Sequence, residues 1–236
     1  MIRTAIIVAG GTGTRMGAQV PKQFLALAGK PILVHTLERF LQFHNYLQLV
    51  LVLPEQEQAA WQDIAAQHFS SADLDRITLA PGGRLRTHSV AKGLQALAAH
   101  IKTPTQCLVA IHDGVRPFVT TKMLSEAYET AGRLGASVAC VEVKASLREV
   151  DAQGHSQAVD RSRFLEVQTP QTFALDRILS AYEQRPHDRF TDDASLYEAV
   201  FPDSPVALCQ GSYDNIKITT PEDMFVAAQI WERFIP

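Results

Sequence analysis

The stretch IIVAGGTGTRMGAQVPKQF, residues 6–24, opens as an apolar run typical of a buried strand and then breaks into four glycines within eight residues. Those glycines are Gly10, Gly11, Gly13 and Gly17. Glycine allows positive φ and close backbone approach, so the N–H groups of such a loop can cradle phosphate oxygens. Arg15 adds a guanidinium that can donate two parallel hydrogen bonds, and Lys22 adds a compact ammonium charge; both suit a polyphosphate. The stretch favours an anion-binding loop; the alternative is a ligand-free turn with ordinary surface charges.

Two familiar nucleotide motifs do not match this loop. The dinucleotide fingerprint G-x-G-x-x-G requires a glycine at Met16, and the P-loop pattern G-x-x-x-x-G-K-[ST] has no counterpart here. The broken fingerprint counts against a nicotinamide-dependent dehydrogenase.

Beyond the loop, short apolar runs alternate with segments of helical period. The strand-like runs include AIIVA, LQLVLVLP, RITLA, CLVAIHD and ASVACVEV. This alternation predicts an α/β fold: one Rossmann-like three-layer αβα domain over residues 1–236, with a mainly parallel sheet. Such sheets bind ligands at the carboxyl ends of their strands. We therefore expect AGGTGTR, PGGRLRTHS and HDGVRP, which each follow a strand, to converge on one edge.

The pattern changes after residue 143. The segment KASLREVDAQGHSQAVDRSRFLEV alternates apolar and polar residues around the turn signal DAQG, which predicts a projecting β-hairpin arm at about residues 144–164. An isolated hairpin is marginal in water. It is expected to pack on a second subunit or to fold back on its own domain, and the pattern does not choose between the two.

The closing segment predicts a well-capped helix. Thr220 is the expected N-cap, with Pro221 at the first helical position and Asp223 near the capping-box site. The expected apolar face consists of Met224, Ala228, Trp231 and Ile235.

Composition limits the possible partners. A formal net charge of −3 gives no global attraction to nucleic acid or to membrane surfaces, so an anionic ligand requires locally placed Arg and Lys. Cys107, Cys140 and Cys209 lie in apolar runs and are interpreted as core thiols of a reducing compartment. No apolar run reaches membrane-spanning length. We expect a soluble cytoplasmic protein that binds neither nucleic acid nor membrane.

A resemblance narrows the function. AGGTGTRM followed by PKQ resembles the signature of nucleotidyltransferases that activate sugar or polyol phosphates. Together with GGRLRTHSV, HDGVRPF, VDRSRFLEVQTPQTF, TDDAS and DNIKIT, it resembles the 2-C-methyl-D-erythritol 4-phosphate cytidylyltransferase family over essentially the whole chain. That family joins CTP to methylerythritol 4-phosphate, releasing pyrophosphate and forming 4-diphosphocytidyl-2-C-methyl-D-erythritol for isoprenoid synthesis.

The resemblance implies roles for particular residues. Arg15 and Lys22 match the cations that bridge the α-phosphate and the leaving pyrophosphate. The implied catalytic residues are Arg15, Lys22, Arg161 and Lys217. The implied nucleotide-binding residues are Ala9, Gly10, Gly11, Gly13, Gly83, Ser89, Asp113 and Gly114. The implied substrate-binding residues are Asp113, Arg116, Ser146, Arg161, Thr169 and Lys217.

The triphosphate carries more charge than two side chains neutralise, so Mg²⁺ is the expected cofactor. Asp113 is the first candidate ligand and Asp214 the second. The alternative for Asp113 is an Asx-type turn before Gly114, although this leaves Arg116 without a role. His112 is interpreted as a packed, hydrogen-bonded histidine, because a phosphate nucleophile is already ionised at neutral pH.

In the family, the hairpin embraces a partner subunit and its arginine reaches the neighbouring active site. The resemblance thus implies a homodimer in which Arg161 acts in trans; the alternative for Arg161 is an ion pair with Asp160 or Glu149. For Thr191, in TDDAS, a role in the site and a role as a helix N-cap both remain open. Two departures stand out. Arg84 follows the paired glycines where a family member has Asp, and Ser146 stands where threonine is commoner.

Two other functions remain open at this level. Ribitol 5-phosphate cytidylyltransferase shares fold, loop and mechanism, and its acceptor is also a small polyol phosphate. A non-catalytic nucleotide-binding module is the other, and the combination of Arg15, Lys22, Asp113 and Lys217 argues against it, because a binding module needs no clamp for a leaving group.

Overall fold

A computed structural model describes residues 1–10, 20–184 and 189–234. Its strands are β1 (Ile2–Val8), β2 (Ala26–Leu27), β3 (Lys30–Pro31), β4 (Gln48–Leu53), β5 (Ile77–Pro81), β6 (Cys107–Asp113), β7 (Ala136–Glu142), β8 (Arg148–Val150), β9 (Ser156–Ala158), β10 (Leu165–Ala174) and β11 (Ala207–Gln210). Its helices are α1 (Ile32–Phe43), α2 (Gln58–His68), α3 (Ser71–Leu74), α4 (Arg86–Ala98), α5 (Thr121–Leu134), α6 (Leu175–Gln184), α7 (Asp193–Val200) and α8 (Pro221–Arg233).

The main sheet has seven strands in the order β11-β7-β10-β6-β1-β4-β5. Neighbouring strands run parallel from β6 to β5, and β11 runs parallel to β7. Only β10, among the seven strands, is antiparallel to both of its neighbours. The predicted α/β fold with a mainly parallel sheet is confirmed.

Strand residues alternate between two cores. In β1, Ala5 and Ile7 face a core formed with α1, α2 and α5, whereas Ile6 and Val8 face a core formed with α4, α6 and α7. Because successive side chains of a strand point to opposite faces, an almost continuously apolar strand is what burial on both faces requires. The sheet is thus the middle of three layers.

The strand register brings several loops to one edge. Val8, the last residue of β1, pairs with Asp113, the last residue of β6, and with Val52 of β4. The chain leaves these parallel strands at the same edge, where ligands bind in open α/β sheets. The predicted convergence of the loops after β1, β5 and β6 follows directly from this register.

The segment after residue 143 divides into two parts. Strands β8 and β9 pair as an exposed hairpin, with Gly154 at positive φ in its turn. This hairpin is shorter than the predicted arm. The alternating residues from Leu165 onward belong to β10, which enters the main sheet between β6 and β7. The strands of a projecting hairpin and a strand of the main sheet both alternate with a period of two, so alternation alone did not separate them.

The closing helix α8 begins with the predicted capping box, in which Thr220 and Asp223 exchange backbone contacts and Pro221 occupies the first turn. Its predicted face needs correction. Met224 and Trp231 pack on the core, but Ala227 and Ile230 are the buried residues, while Ala228 is exposed. Ile235 lies outside the described residues.

The three cysteines are buried and free, as predicted for core thiols. Within the described residues, no helix combines the length and apolar character needed to cross a bilayer.

Candidate active site

Two cavities open at the carboxyl edge of the sheet and share part of their lining. The first cavity, of about 300 Å³, is bordered by predicted nucleotide-binding residues. Those predicted residues are Ala9, Gly10, Gly83, Ser89 and Asp113, and the predicted catalytic residue Lys22 borders the same cavity. The second cavity, of about 560 Å³, is bordered by the predicted acceptor residues Arg116 and Thr169. Arg86, Asp113 and Lys217 border both cavities, and we call these three residues the shared wall.

The floor of the first cavity depends on close backbone packing at Gly83. Its N–H donates to Ser89 Oγ at 3.0 Å, and Ser89 Oγ donates in turn to the Leu85 carbonyl at 3.1 Å. A Cβ on Gly83 would lie 2.4 Å from His88 Cβ and 2.9 Å from the His88 carbonyl carbon. The turn between β5 and α4 therefore requires glycine here.

Gly114 is predicted to bind nucleotide, but it is not among the residues that border either cavity. Its N–H donates to the Val8 carbonyl at 2.8 Å, and a Cβ there would lie 2.9 Å from Ala9 Cβ. Glycine at this position lets the loop after β6 lie directly against the loop after β1. Gly114 thus shapes the backbone that borders the cavity.

The Asp113 carboxylate is the centre of the shared wall. Oδ1 accepts from Arg86 Nε at 3.1 Å, and Oδ2 lies 3.3 Å from Arg116 Nε and 3.0 Å from Lys217 Nζ. Burial alone raises the pKa of this carboxyl, but the three cations outweigh it and hold the pKa of Asp113 well below its usual range. The carboxylate therefore stays ionised and orients three cations, which is a use beyond the Asx turn considered as its alternative.

A hydrogen-bonded group behind the wall fixes this arrangement. The Asp113 N–H donates to Thr169 Oγ1 at 3.2 Å, and Thr169 Oγ1 lies 3.0 Å from His112 Nδ1. His112 Nε2 is 3.1 Å from the Arg116 carbonyl, which can only accept, so Nε2 carries the hydrogen and Nδ1 accepts from the threonine hydroxyl. Burial lowers the pKa of His112 to about 4. His112 is thus a packed, neutral histidine, as the sequence indicated.

Arg116 is held from a second direction. Its Nη1 donates to the Asn215 carbonyl at 2.7 Å, and Asn215 Nδ2 donates to the Thr169 carbonyl at 2.8 Å. The loop that carries Lys217 is thereby joined to the loop after β6 and to β10. This explains how residues about 100 positions apart in the sequence reach one carboxylate.

Sequence reasoning assigned no role to Arg86, although GGRLRTHSV contains it. Arg86 Nη1 donates to Asp193 Oδ2 at 2.9 Å, and Tyr182 donates its hydroxyl to Asp193 Oδ1 at 2.5 Å. Gln171 Oε1 accepts from the backbone N–H of Asp193 at 3.0 Å. These partners are far apart in the sequence, so a single sequence offers no signal that pairs them.

Lys22 lies on a short 3-10 helix, Lys22–Phe24, and borders the first cavity. Its neighbour Gln23 is buried and donates to the Glu57 carboxylate. Burial raises the pKa of Glu57, and the hydrogen bond from Gln23 partly opposes that rise. The loop position of Lys22 is thus fixed by its neighbour. The predicted residues Gly11, Gly13 and Arg15 lie outside the described residues.

Besides Gly114, three predicted site residues border neither cavity. Ser146 and Arg161 are exposed in the segment that carries the hairpin, and Arg161 donates to the Lys144 carbonyl. Asp214 pairs with Arg233 and borders neither cavity, so it is not brought to Asp113. Thr191 borders the second cavity, but the N-cap of α7 is Asp192, whose side chain accepts from the Ser195 N–H.

The carboxylates near the first cavity limit how a divalent metal could be held. Asp113 is the only carboxylate among its described lining residues, and no group of three or more His, Cys, Asp or Glu with metal-binding geometry occurs in the described part of the chain. Mg²⁺ commonly uses one or two carboxylates together with substrate phosphates and water. The residues present fit an ion carried mainly by a triphosphate, with Asp113 as the protein ligand.

Comparison with known proteins gives the family. Residues 3–233 match the family model described as 2-C-methyl-D-erythritol 4-phosphate cytidylyltransferase. A protein of that name from Bacteroides thetaiotaomicron is 43% identical over 230 residues, covering 98% of this chain and 100% of the relative. The Porphyromonas gingivalis protein of the same name is 45% identical over 225 residues, covering 95% of this chain and 96% of the relative.

Solved structures agree with this match. The 2-C-methyl-D-erythritol 4-phosphate cytidylyltransferase from Thermus thermophilus superposes with a TM-score of 0.74 at 30% identity, covering 98% of this chain and 100% of the other. The 4-diphosphocytidyl-2C-methyl-D-erythritol synthase from Anaerococcus prevotii gives a TM-score of 0.83 at 28% identity, covering 98% and 96%. With nearly the whole chain matched by sequence and by fold, the chain belongs to the 2-C-methyl-D-erythritol 4-phosphate cytidylyltransferase family.

Proposed function

We propose that this protein transfers the cytidylyl group of CTP to 2-C-methyl-D-erythritol 4-phosphate, giving 4-diphosphocytidyl-2-C-methyl-D-erythritol and pyrophosphate. The family match over residues 3–233 is the observation that carries the proposal. The two cavities support it, because a transfer between two anionic molecules needs two adjoining binding sites and cations at their junction. The shared wall supplies that junction.

CTP is assigned to the first cavity. Gly83 and Ser89 hold the turn that borders it, so the backbone there can read the edge of the cytosine base, together with Ala9 and Gly10. Lys22 borders the same cavity and is assigned to the triphosphate, with Arg15, Gly11 and Gly13 of the glycine loop as its expected companions. Arg84 also borders this cavity, where it adds a cation at the position at which a family member has aspartate.

The acceptor is assigned to the second cavity. Arg116 and Lys217 border this cavity and provide positive charge, and Thr169 provides a hydroxyl. A small polyol phosphate needs this combination, since its phosphate is anionic and its carbon chain carries hydroxyl groups. The Asp113 carboxylate keeps both cations in place.

The reaction needs no covalent nucleophile from the protein. The acceptor phosphate attacks the α-phosphorus of CTP in line, and the bond from this phosphorus to the β-phosphate bridging oxygen breaks, so pyrophosphate leaves with the electron pair. The protein must hold the reacting oxygens in line and stabilise the charge that develops on the α-phosphoryl oxygens. Lys22 and Lys217 border the cavity in which this charge develops.

We also propose that the activity requires Mg²⁺, held by the triphosphate and by Asp113, because Asp113 borders both cavities whereas Asp214 borders neither. Bound there, the ion would neutralise phosphate charge and orient the leaving group. The three buried free thiols support the proposed cytoplasmic location, because such thiols persist in a reducing compartment.

A homodimer is proposed from the exposed arm. Val150, Phe164 and Val167 are exposed along the hairpin and the start of β10, where an isolated hairpin would be marginal. In this arrangement Arg161 and Ser146 serve the partner's acceptor cavity in trans. Light scattering of the purified protein measures the oligomeric state; a fully active, monodisperse monomer would contradict the trans role of Arg161.

Phosphorus NMR of the purified protein with CTP and Mg²⁺ tests the function, with methylerythritol 4-phosphate and ribitol 5-phosphate supplied in separate samples. We expect pyrophosphate and a new diphosphate ester to appear selectively with methylerythritol 4-phosphate. Equal or faster turnover of ribitol 5-phosphate would refute the acceptor assignment while keeping the mechanism. Binding of CTP without turnover of either acceptor would refute the enzymatic proposal.

A further inference from the structure

Arg86 lies at the junction of two networks that serve different cavities. It begins α4, directly after the turn that borders the first cavity, and its guanidinium contacts Asp113 in the shared wall. The same guanidinium contacts Asp193 at the start of α7, beside the loop that borders the second cavity. One side chain thus joins both halves of the site.

The charges around Arg86 show what it does to Asp113. Asp193 is fully buried. Its Oδ2 accepts a hydrogen bond from Arg86 Nη1, and its Oδ1 accepts one from the Tyr182 hydroxyl. The guanidinium is planar and rigid, so fixing one arm fixes the direction of the Nε that reaches Asp113. Asp193 therefore serves as an anchor, and Arg86 transmits its position to Asp113.

The neighbouring cations depend on this carboxylate. Lys217 Nζ and Arg116 Nε share Oδ2 of Asp113, whereas Arg86 alone, among the described ion pairs, holds Oδ1. A carboxylate released at Oδ1 can rotate about its remaining contacts at Oδ2, which displaces Lys217 and the Nε contact of Arg116, while Arg116 keeps its bond to the Asn215 carbonyl. Those cations border the cavities assigned to the reacting phosphates.

We propose that Arg86 is a positioning residue for the cytidylyl transfer, which holds Asp113 in the shared wall so that Lys217 and Arg116 face the two reacting phosphates. This inference rests on the proposed function. Arg86 Nε and Nη1 are both bound by protein carboxylates, Asp113 and Asp193, so the side chain acts on the site through Asp113. A displacement of about 1 Å at a reacting centre costs on the order of 100-fold in rate.

The test compares Arg86→Met with the double variant Arg86→Met/Asp193→Asn. Methionine removes the charge and both contacts, and it leaves Asp193 buried and unpaired, which lowers stability. Asparagine at position 193 removes that unpaired charge and can still bond Tyr182. We expect the double variant to regain a melting temperature near that of the parent protein while its kcat stays about 10- to 100-fold low, with KM for both substrates changed less than about threefold.

Two further variants separate the alternatives. Asp193→Asn alone keeps Arg86 and its contact to Asp113, since the amide oxygen can accept from the guanidinium, and we expect it to retain most of kcat. Arg177→Met is the matched control: it removes an arginine of α6 that bonds Tyr197 and Ser204 and is absent from the described lining of both cavities. We expect its kcat to equal that of the parent protein.

A double variant that regains both stability and kcat would overturn the inference, because Arg86 would then be merely structural. Loss of activity in Arg86→Met that only follows its folded fraction would overturn it too. If Arg86→Met alone does not fold, the double variant supplies the decisive kcat. Absence of turnover by the parent protein would refute the proposed function and the inference together. Full turnover by the parent protein and by the double variant would refute the inference alone.

Discussion

The turn at Gly83 allows the sharpest prediction from the geometry. An alanine methyl at this position would lie 2.4 Å from His88 Cβ, 2.9 Å from the His88 carbonyl carbon and 3.1 Å from the Ser89 nitrogen. Carbon atoms in ordinary contact are about 3.5–4.0 Å apart. Two of the three clashing atoms belong to the backbone of α4, so no change of rotamer relieves them, and the turn or the helix must move by about 1 Å.

This movement has two costs. Overpacking of this kind lowers the free energy of unfolding by about 1–3 kcal/mol. The hydrogen bond from Gly83 N–H to Ser89 Oγ, 3.0 Å long, would also be lost, which lowers the free energy of unfolding by about 0.5–1.5 kcal/mol more. We therefore expect Gly83→Ala to lower the free energy of unfolding by about 2–4 kcal/mol and to weaken CTP binding at least tenfold, because Ser89 borders the first cavity.

Urea unfolding followed by tryptophan fluorescence measures the stability, and calorimetric titration with CTP measures the affinity. Gly132→Ala is the control, since a methyl there would meet Leu108 Cδ1 at 3.4 Å, an ordinary contact, inside helix α5. We expect this control to be neutral or stabilised by up to about 1 kcal/mol. If Gly83→Ala matched the parent protein within about 1 kcal/mol and bound CTP equally well, the steric reasoning would be refuted.

Three further predictions follow from the site and its surroundings. Lys22→Ala should lower kcat by about 100- to 1,000-fold while leaving the circular dichroism spectrum unchanged, and near-normal turnover would remove its proposed charge-stabilising role. Removal of divalent metal with EDTA should stop turnover and added Mg²⁺ should restore it; turnover that persists without metal would contradict the cofactor proposal. His35 is buried against Leu27 and Trp231, and burial lowers its pKa below 6.5, although Glu38 partly opposes this. Its unfolded form binds a proton more readily, so its contribution to stability falls as the pH drops below about 6.5, and His35→Gln should flatten this loss in urea unfolding at about pH 5–7; an equal slope in both proteins would argue against it.

The layered fold could be predicted because periodicity carries it. Strands such as Cys107–Asp113 are apolar throughout most of their length, since both faces of the sheet are covered, and the helices between them repeat every three to four residues. The position of the glycine turns after strands then predicts which edge holds the site. Ser89 and Asp113, assigned from the resemblance, do border the first cavity.

The parts that escaped prediction depend on distant pairing. The alternating segment quoted for the arm runs on to Val167, but Leu165–Ala174 enters the sheet as an antiparallel strand between β6 and β7. Arg86 and Asp193 are 107 positions apart, and the sequence around neither residue indicates that they pair. Asp214 has the right residue type for a metal ligand, but it pairs with Arg233 of the closing helix and borders neither cavity. Such choices are made by tertiary contacts, which no local pattern contains.

The antiparallel strand β10 has a consequence for how acceptor preference can change. Gln168, Thr169 and Gln171 of this strand border the second cavity, whereas the described lining of the first cavity comes from other elements. Under the proposed assignment of CTP to the first cavity and of the acceptor to the second, donor and acceptor recognition are encoded in separate stretches of the chain that meet only at the shared wall. We therefore expect substitutions in β10 and at the start of α7 to change the preferred polyol phosphate while CTP binding stays unchanged.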